Sequence, residues 1–344
     1  MAFLPLGKLP PDLLENIIKK APLFDSKVIL GPGTGLDCAV IDNGDHYLVY
    51  KSDPITFTAD NIGWYSVQIN LNDLVTTGAK PKWMLSTLLL PEKKTTAGMV
   101  EKISQQLFEA AAFYKISLIG GHTEITHHLD RPLLISTLIG EVSKDNLITP
   151  KGAQTGDRIL LTKGIPIEAT AILAADFETR LSAVLSPSQI ESAKQYLFNP
   201  GISVYKEARL AVEIGGVNAM HDPTEGGLAA ALWELAIASD KQLLINPDNI
   251  HMPTLSATIC RFFDLNPLFT IASGALLMAV SPNQSQKIIQ ACLENQIDCF
   301  EIGEVGTNGA EVLRTNIIPF QQFERPMRDD LGKVYEKRSN LKEE

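Results

Sequence analysis

Apolar residues recur in two rhythms along this chain, and the two rhythms alternate. Leu13, Leu14, Ile17 and Ile18 follow Pro11-Asp12 at helical spacing, which predicts a short amphipathic N-terminal helix. KVIL then reads as a brief strand, GPGTG as a glycine-rich turn, and DCAVIDNGDHYLVYKSD as a β-hairpin around Asn43-Gly44. From Trp64 to Thr77 the apolar positions 64, 67, 71, 74 and 75 form one helical face, stopped by Gly78 and Pro81. The strand MLSTLLL, a helix over about 96–114, the strand ISLIG and, after GGHTEI, the strand RPLLISTLIGEV complete the first half.

The turn-rich stretch KGAQTGDR restarts the pattern, and a boundary is expected between 150 and 156. Beyond it come the strand DRILLTKG, helices near 168–178 and 187–196, and a helix over 201–214. The strand VNAMHD leads into the helix LAAALWELAIAS; ALLMAV, a helix near 283–294 and FEIGEV follow. Strands and helices mix in both halves, so the expected organisation is a domain over 1–152, a second over 153–320, and a charged, peripheral tail over 321–344.

Composition narrows the function classes. With 344 residues, 45% hydrophobic and 20% charged, the chain has ample core material. A net charge of −10 argues against nucleic acid as the partner, because phosphate-backbone binding needs a basic face. Cys38, Cys260, Cys292 and Cys299 form no C-x-x-C, so neither a zinc knuckle nor a disulfide framework is indicated, and a reducing, cytoplasmic setting is expected. Neither a signal peptide, an anchor nor a run of membrane-spanning length is expected.

Several polar groups sit where local physics does not ask for them. A two-residue turn at Asn43-Gly44 would pair Asp42 with Asp45, set Asp37 opposite Tyr50, and leave Asp37 and Asp53 at one end of the hairpin. Two carboxylates close together repel unless they share a cation; otherwise both simply face water. Asn72 and Asp73 are poor helix formers, and Asp73 lies in the last helical turn, where the macrodipole disfavours an anion. Such a carboxylate is a candidate ligand or catalytic group, against the plainer reading of an exposed polar face. Gly120 and Gly121 permit close backbone approach, and His122, Thr123 and Glu124 follow them at a strand end. In MHDPTEGGLAAAL, Thr224 is a candidate N-cap, and Gly226 and Gly227 expose N–H groups as an anion cradle or an ordinary helix start. There is no Walker P-loop, and GPGTGLD precedes a hairpin rather than a helix, so the dinucleotide-fold reading fails.

In order and content, GPGTGLDCAVI, KSDPITF, IGWYSVQINLNDLVTTGAKP, LIGGHTEI, GDRILLTKG, MHDPTEGGLAAAL and ASGALLMAV resemble the aminoimidazole ribonucleotide (AIR) synthase-related superfamily, over about residues 7–315. MHDPTEGG and NDLVTTGA bring the chain nearest to its HypE-like group. The resemblance implies an α/β N-terminal domain whose sheet completes a β-barrel across a homodimer, an α+β C-terminal domain, and Mg²⁺-ATP bound between them. Carried over by motif, it makes Asp37, Asp53 and Asp73 metal and phosphate ligands with Glu124 as a further metal ligand. Asn72, Gly120, Gly121, Thr123, Asp222, Thr224, Gly226 and Gly227 become nucleotide contacts, and Asp73 and His122 candidate catalytic groups, His122 being expected in the same pocket as Asp73. The implied activity is ATP-dependent phosphorylation of an oxygen on a small-molecule or protein-borne acceptor. The alternative is a nucleotide-binding maturation or regulatory subunit without turnover. Relatives carry Asp where His122 stands, so a thiamine-monophosphate-kinase-like enzyme is the lesser alternative, and the last cysteine is Cys299, so the chemistry of a terminal cysteine is not implied.

Overall fold

A computed structural model describes Leu4 and residues 9–33, 35–56 and 60–340. Thr34 of the glycine-rich turn, Phe57 of KSDPITF and the last four residues of the tail lie outside them. The chain divides into two compact units, one formed by residues 22–32 and 36–147, the other by residues 1–21, 33–35 and 148–344. The N-terminal helix α1, Pro11–Ile18, belongs to the latter.

The unit over 36–147 is a six-stranded sheet covered on one face by two helices. Its strands are β1 (Val28–Leu30), β2 (Ala39–Asp42), β3 (His46–Ile55), β4 (Lys80–Pro91), β5 (Ser117–Thr126) and β6 (Leu133–Ser143), in the order β1-β2-β3-β6-β4-β5. Neighbours are antiparallel except β4 and β5, which are parallel and joined through helix α3 (Ala97–Phe113), as a parallel pair requires. On β6 the alternate residues Leu134, Ser136, Leu138 and Val142 are buried, while Ile135, Thr137 and Ile139 are half-buried on the other face. Helix α2 (Ile62–Thr76) lies on the buried side against β3, β4, β6 and α3. It is buried nearly all round, including Ser66, Gln68, Asn70, Asn72 and Asp73, so the exposed polar face considered from sequence does not exist.

The hairpin turn is centred one residue later than expected. Asn43 N–H donates to the His46 carbonyl at 3.0 Å, so Gly44 and Asp45 are the central pair. Gly44 has φ +90°, which suits the first central position of a type II′ turn, and its N–H is held by the Asp42 carboxylate at 2.8 Å. The register is Asp42 with Tyr47 and Ala39 with Tyr50, so Tyr50 faces Ala39 rather than Asp37.

The other unit carries a seven-stranded sheet. Its strands are β7 (Arg158–Thr162), β8 (Val217–His221), β9 (Lys241–Ile245), β10 (Leu277–Val280), β11 (Cys299–Asn308), β12 (Val312–Arg314) and β13 (Gln321–Gln322), ordered β13-β12-β9-β11-β7-β10-β8. Helices α4 (Glu168–Asp176), α5 (Glu178–Leu181), α6 (Pro187–Lys194), α7 (Tyr205–Ile214), α8 (Gly227–Ser239), α9 (Thr254–Phe263), α10 (Pro282–Glu294) and α11 (Gly332–Asn340) complete it. Leu228, Leu232 and Leu235 of α8 join Ile159, Leu161, Leu243 and Leu277 of the sheet in one core; Leu173, Ile190 and Ile259 of α4, α6 and α9 belong to a second. The segment after Phe320 is not peripheral. Phe323 is buried in the first core and its carbonyl accepts the Trp233 indole N–H at 3.1 Å, while Leu331 and Val334 are buried in the second. Its charged residues are spaced between apolar anchors, a pattern that composition alone hides.

At Gly63 a Cβ would lie 2.4 Å from the Ile103 carbonyl oxygen and 2.6 Å from the Leu107 nitrogen, both backbone atoms of α3. Gly63→Ala therefore forces α2 and α3 apart and is expected to cost about 1–3 kcal/mol. Gly98→Ala, where a Cβ meets nothing within 4 Å, serves as the control and is expected to be neutral or slightly stabilising. Thermal unfolding of the two variants beside wild type checks this.

Candidate functional site

In the unit over 36–147, the polar centre lies where α2 crosses β3. Alternation along β3 sends Val49, Lys51 and Ile55 inward, all buried, with Asp53 half-buried beside them. The Lys51 ammonium is 3.0 Å from Asp73 Oδ2 and 3.1 Å from Asp53 Oδ2, with its side chain only 10% exposed. Burial by itself lowers a lysine pKa; the carboxylates of Asp73, then Asp53 and Asp37, outweigh it and hold Lys51 above its ordinary range. The structure thus brings Asp53 and Asp73 onto one cation, with the charge of Asp37 also felt there, and that cation is a lysine which the sequence reading passed over. The signal was available in the strand period, since Val49 facing inward places Lys51 inward too.

Hydrogen bonds fix this centre. Asn70 accepts the Asp53 N–H at 3.0 Å and donates to the Ser66 carbonyl at 2.8 Å. The hydroxyls of Ser66, Ser136 and Ser86 form a chain at 2.6 and 2.8 Å, tying α2 to β6 and β4. The Asp73 carbonyl accepts the Thr76 hydroxyl at 2.6 Å and the Cys38 thiol at 3.5 Å. In the last turn of α2 the Asp73 carbonyl is therefore satisfied by a donor within the helix and another from Cys38. Asn72 is fully buried in the same turn.

Gly120, Gly121, His122, Thr123 and Glu124 lie on β5, an edge strand. A Cβ on Gly121 would meet the Ser86 carbonyl oxygen at 1.8 Å, so close strand approach is the reason for glycine there. His122 pairs in register with Thr87, one step from Ser86, whose hydroxyl reaches Ser136 under α2. His122 therefore lies on the sheet face away from Asp73 rather than in the same pocket. It is exposed and 3.2 Å from Glu124 Oε2.

In the other unit, β8 runs through Asp222 and Thr224 into α8. His221 Nε2 is 2.7 Å from Glu234 Oε2, and Asp222 is buried. Gly226, with φ +83°, is the N-cap of α8; Thr224 contributes its carbonyl to the Gly227 N–H at 3.0 Å instead of capping by side chain. The Gly226 N–H, expected in an anion cradle, donates to Asp329 Oδ2 at 2.7 Å. An anion supplied by the chain's own C-terminal segment fills that position. Burial pushes the Asp329 carboxyl up to about 6 against the lowering effect of the Gly226 and Leu331 N–H groups. Glu168, at the start of α4, is pushed up to about 7 by burial, and the nearby charges of Glu225 and Asp329 add to the shift. Sequence reasoning missed Glu168 and Asp329, because nothing in their local patterns announces burial.

The sign of the linkage is set by these raised values. Glu168 ionises at about pH 4.5 when unfolded and at about 7 when folded, so the folded state holds a proton that the unfolded state has lost. Its stabilising contribution is complete below about pH 4.5 and disappears as pH rises through 7, on the order of 3 kcal/mol in all. Asp329 acts in the same direction up to about 6. Glu168→Gln is expected to flatten the fall of stability between pH 5 and 7, measured by urea unfolding across that range.

Residues 35–142 match the AIR synthase related protein N-terminal domain, and residues 154–316 the C-terminal domain of that family. A putative hydrogenase expression/formation protein of Methanocaldococcus jannaschii is 28% identical over 95% of this chain and 97% of its own. The carbamoyl dehydratase HypE of Bradyrhizobium diazoefficiens is 26% identical over 74% of this chain and 72% of its own. Among solved structures, hydrogenase maturation protein HypE in complex with ATP superposes with a TM-score of 0.67 at 20% identity, covering 91% of each chain. AaThiL complexed with AMPPCP and TMP gives 0.69 at 21%, covering 92% of this chain and 94% of that one. With both domains matched in order and the same two-domain fold in its structural neighbours, the chain belongs to the AIR synthase-related family.

Proposed function

We propose that this protein is an ATP-dependent enzyme of the HypE-like group, which phosphorylates an oxygen of a small-molecule or protein-borne acceptor. The observation that carries the reading is the buried pair of Lys51 and Asp73, joined by the half-buried Asp53 and influenced by the charge of Asp37, in a helix and a strand that gain nothing from it locally. Family membership supports it, and so do the ATP and the ATP analogue AMPPCP named for the HypE and ThiL structures. The donors are carboxylate oxygens, which suit a hard cation such as Mg²⁺. That ion would neutralise phosphate charge, and Asp37, Asp53 and Asp73 are the residues proposed to hold it. Lys51 directs a fixed positive charge toward the same oxygens, and Asn70 fixes the backbone of Asp53 beside it. Positioning and electrostatics are the contributions such a site makes to phosphoryl transfer. Asp73 is the proposed catalytic group of the set. Asn72, Gly120, Gly121, Thr123, Asp222, Thr224 and Gly227 keep their proposed place as nucleotide contacts, whereas the Gly226 N–H is taken by Asp329.

The sheet face opposite α2 presents Leu85, Ile135 and Ile139, each partly exposed. We propose that a second copy covers it, with the His122–Glu124 pair at that interface; His122 as a catalytic group and Glu124 as a metal ligand would act from there. A maturation partner protein is the proposed source of a protein-borne acceptor, in line with the HypE–HypF complex among the structural neighbours. Among the described residues no helix is long and apolar enough to cross a membrane.

Isothermal titration with ATP, with and without Mg²⁺, tests the nucleotide reading. Binding is expected to depend on Mg²⁺ and to weaken at least tenfold in Asp73→Ala; unchanged affinity in that variant removes the assignment. Light scattering at micromolar concentration is expected to give twice the mass of one chain, and a monomer would refute the proposed dimer.

A further inference from the structure

The site just described holds a positive charge of its own. Asp53 and Asp73 each turn Oδ2 toward the Lys51 ammonium, at 3.1 and 3.0 Å, and the nitrogen fills the space between them. A divalent ion shared by the same two oxygens would have to sit there, at roughly 2.0–2.6 Å from each. A protonated amine has three donors and no lone pair, so Lys51 cannot join a metal's ligand set; it can only compete with the ion. Three carboxylates and one ammonium leave a formal charge of −2, where the acids alone would carry −3. Lys51 is moreover nearly buried, so bulk salt screens this charge poorly. On β3 the other buried inward residues, Val49 before Lys51 and Ile55 after Asp53, are apolar and supply no cation.

We infer that Lys51 is a resident cation of this acidic set, occupying the position between Asp53 and Asp73 that a divalent ion would otherwise take. The inference rests on the reading that the set is a cation and phosphate site. It adds that the protein takes up one divalent ion fewer there than its carboxylates imply. Without nucleotide, the Asp53–Asp73 position accepts no divalent ion at all. A phosphate group arriving at the site meets a positive charge already in place.

The test is run without nucleotide, so that it fails or succeeds separately from the ATP titration. Mn²⁺ is titrated into wild type, Lys51→Met, Lys51→Arg, Asp73→Asn and the double variant Lys51→Met/Asp73→Asn, and free Mn²⁺ is followed by its paramagnetic resonance signal. Lys51→Met is expected to bind one Mn²⁺ more than wild type, at least tenfold more tightly than any site wild type offers there, and to melt higher when Mn²⁺ or Mg²⁺ is added. That ion should vanish in the double variant. Lys51→Arg keeps the charge and should behave as wild type. If Lys51→Met folds only in the presence of a divalent ion, the ion has replaced the ammonium and the inference stands. It is overturned if wild type binds Mn²⁺ at a site that Asp73→Asn abolishes. It is equally overturned if Lys51→Met neither gains an ion nor is restored by one.

Discussion

The contact between the Lys51 ammonium and the carboxylates of Asp53 and Asp73 is the constraint around which the N-terminal sheet and its covering helix are organised. Helix α2 is buried on nearly every side, and a lone carboxylate in its last turn would face both a desolvation cost and an opposing macrodipole. Removing one partner of a buried ion pair typically costs about 3–5 kcal/mol, because the survivor stays buried without compensation. The lysine and the acids are therefore tolerable only together. That mutual dependence ties β3 to α2, and the Asn70, Ser66 and Ser136 hydrogen bonds hold the helix at the height where the pair can form.

The two units bury acids by different means. Around Lys51 the compensation is a full opposite charge. Around Asp329 it comes from backbone N–H groups and around Glu168 from the Ser273 hydroxyl, and burial raises the proton affinity of both. The first arrangement holds a lysine firmly charged beside its carboxylates, which suits a site that must place phosphate oxygens. The second makes a region whose charge changes with pH.

Much of this was legible in the sequence, in places where local preference was violated. Asp73 stood out because neither helix propensity nor the macrodipole favours it, and it does lie in a buried polar centre. Lys51 did not stand out, because a lysine in a strand is ordinarily an exposed residue and only the inward phase set by Val49 contradicts that. The hairpin was recognisable, but its turn was placed a residue early: Asn-Gly is the stronger type I′ signal, whereas the chain uses Gly44 as the first residue of a type II′ turn. Two preceding glycines suggest a pocket shared by His122 and Asp73, yet a strand residue's face follows from its register with the neighbouring strand, which one sequence does not carry. Charge alone makes the segment after Phe320 look peripheral, although Phe323, Leu331 and Val334 mark the positions that pack.

That packing bears on how the chain is made. The C-terminal unit draws on residues 1–21 as well as 148–344, and its two cores stay incomplete until Phe323, Leu331 and Val334 have been added. The unit over 36–147 is wholly synthesised long before that point. During translation the unit with the lysine-centred site can fold while its companion is still waiting for α11, with the Gly226 amide ahead of α8 lacking Asp329 until that segment has been made. A chain interrupted before Leu331 would thus leave one unit sound and the other unsealed, a state that quality-control proteases recognise by its exposed apolar core.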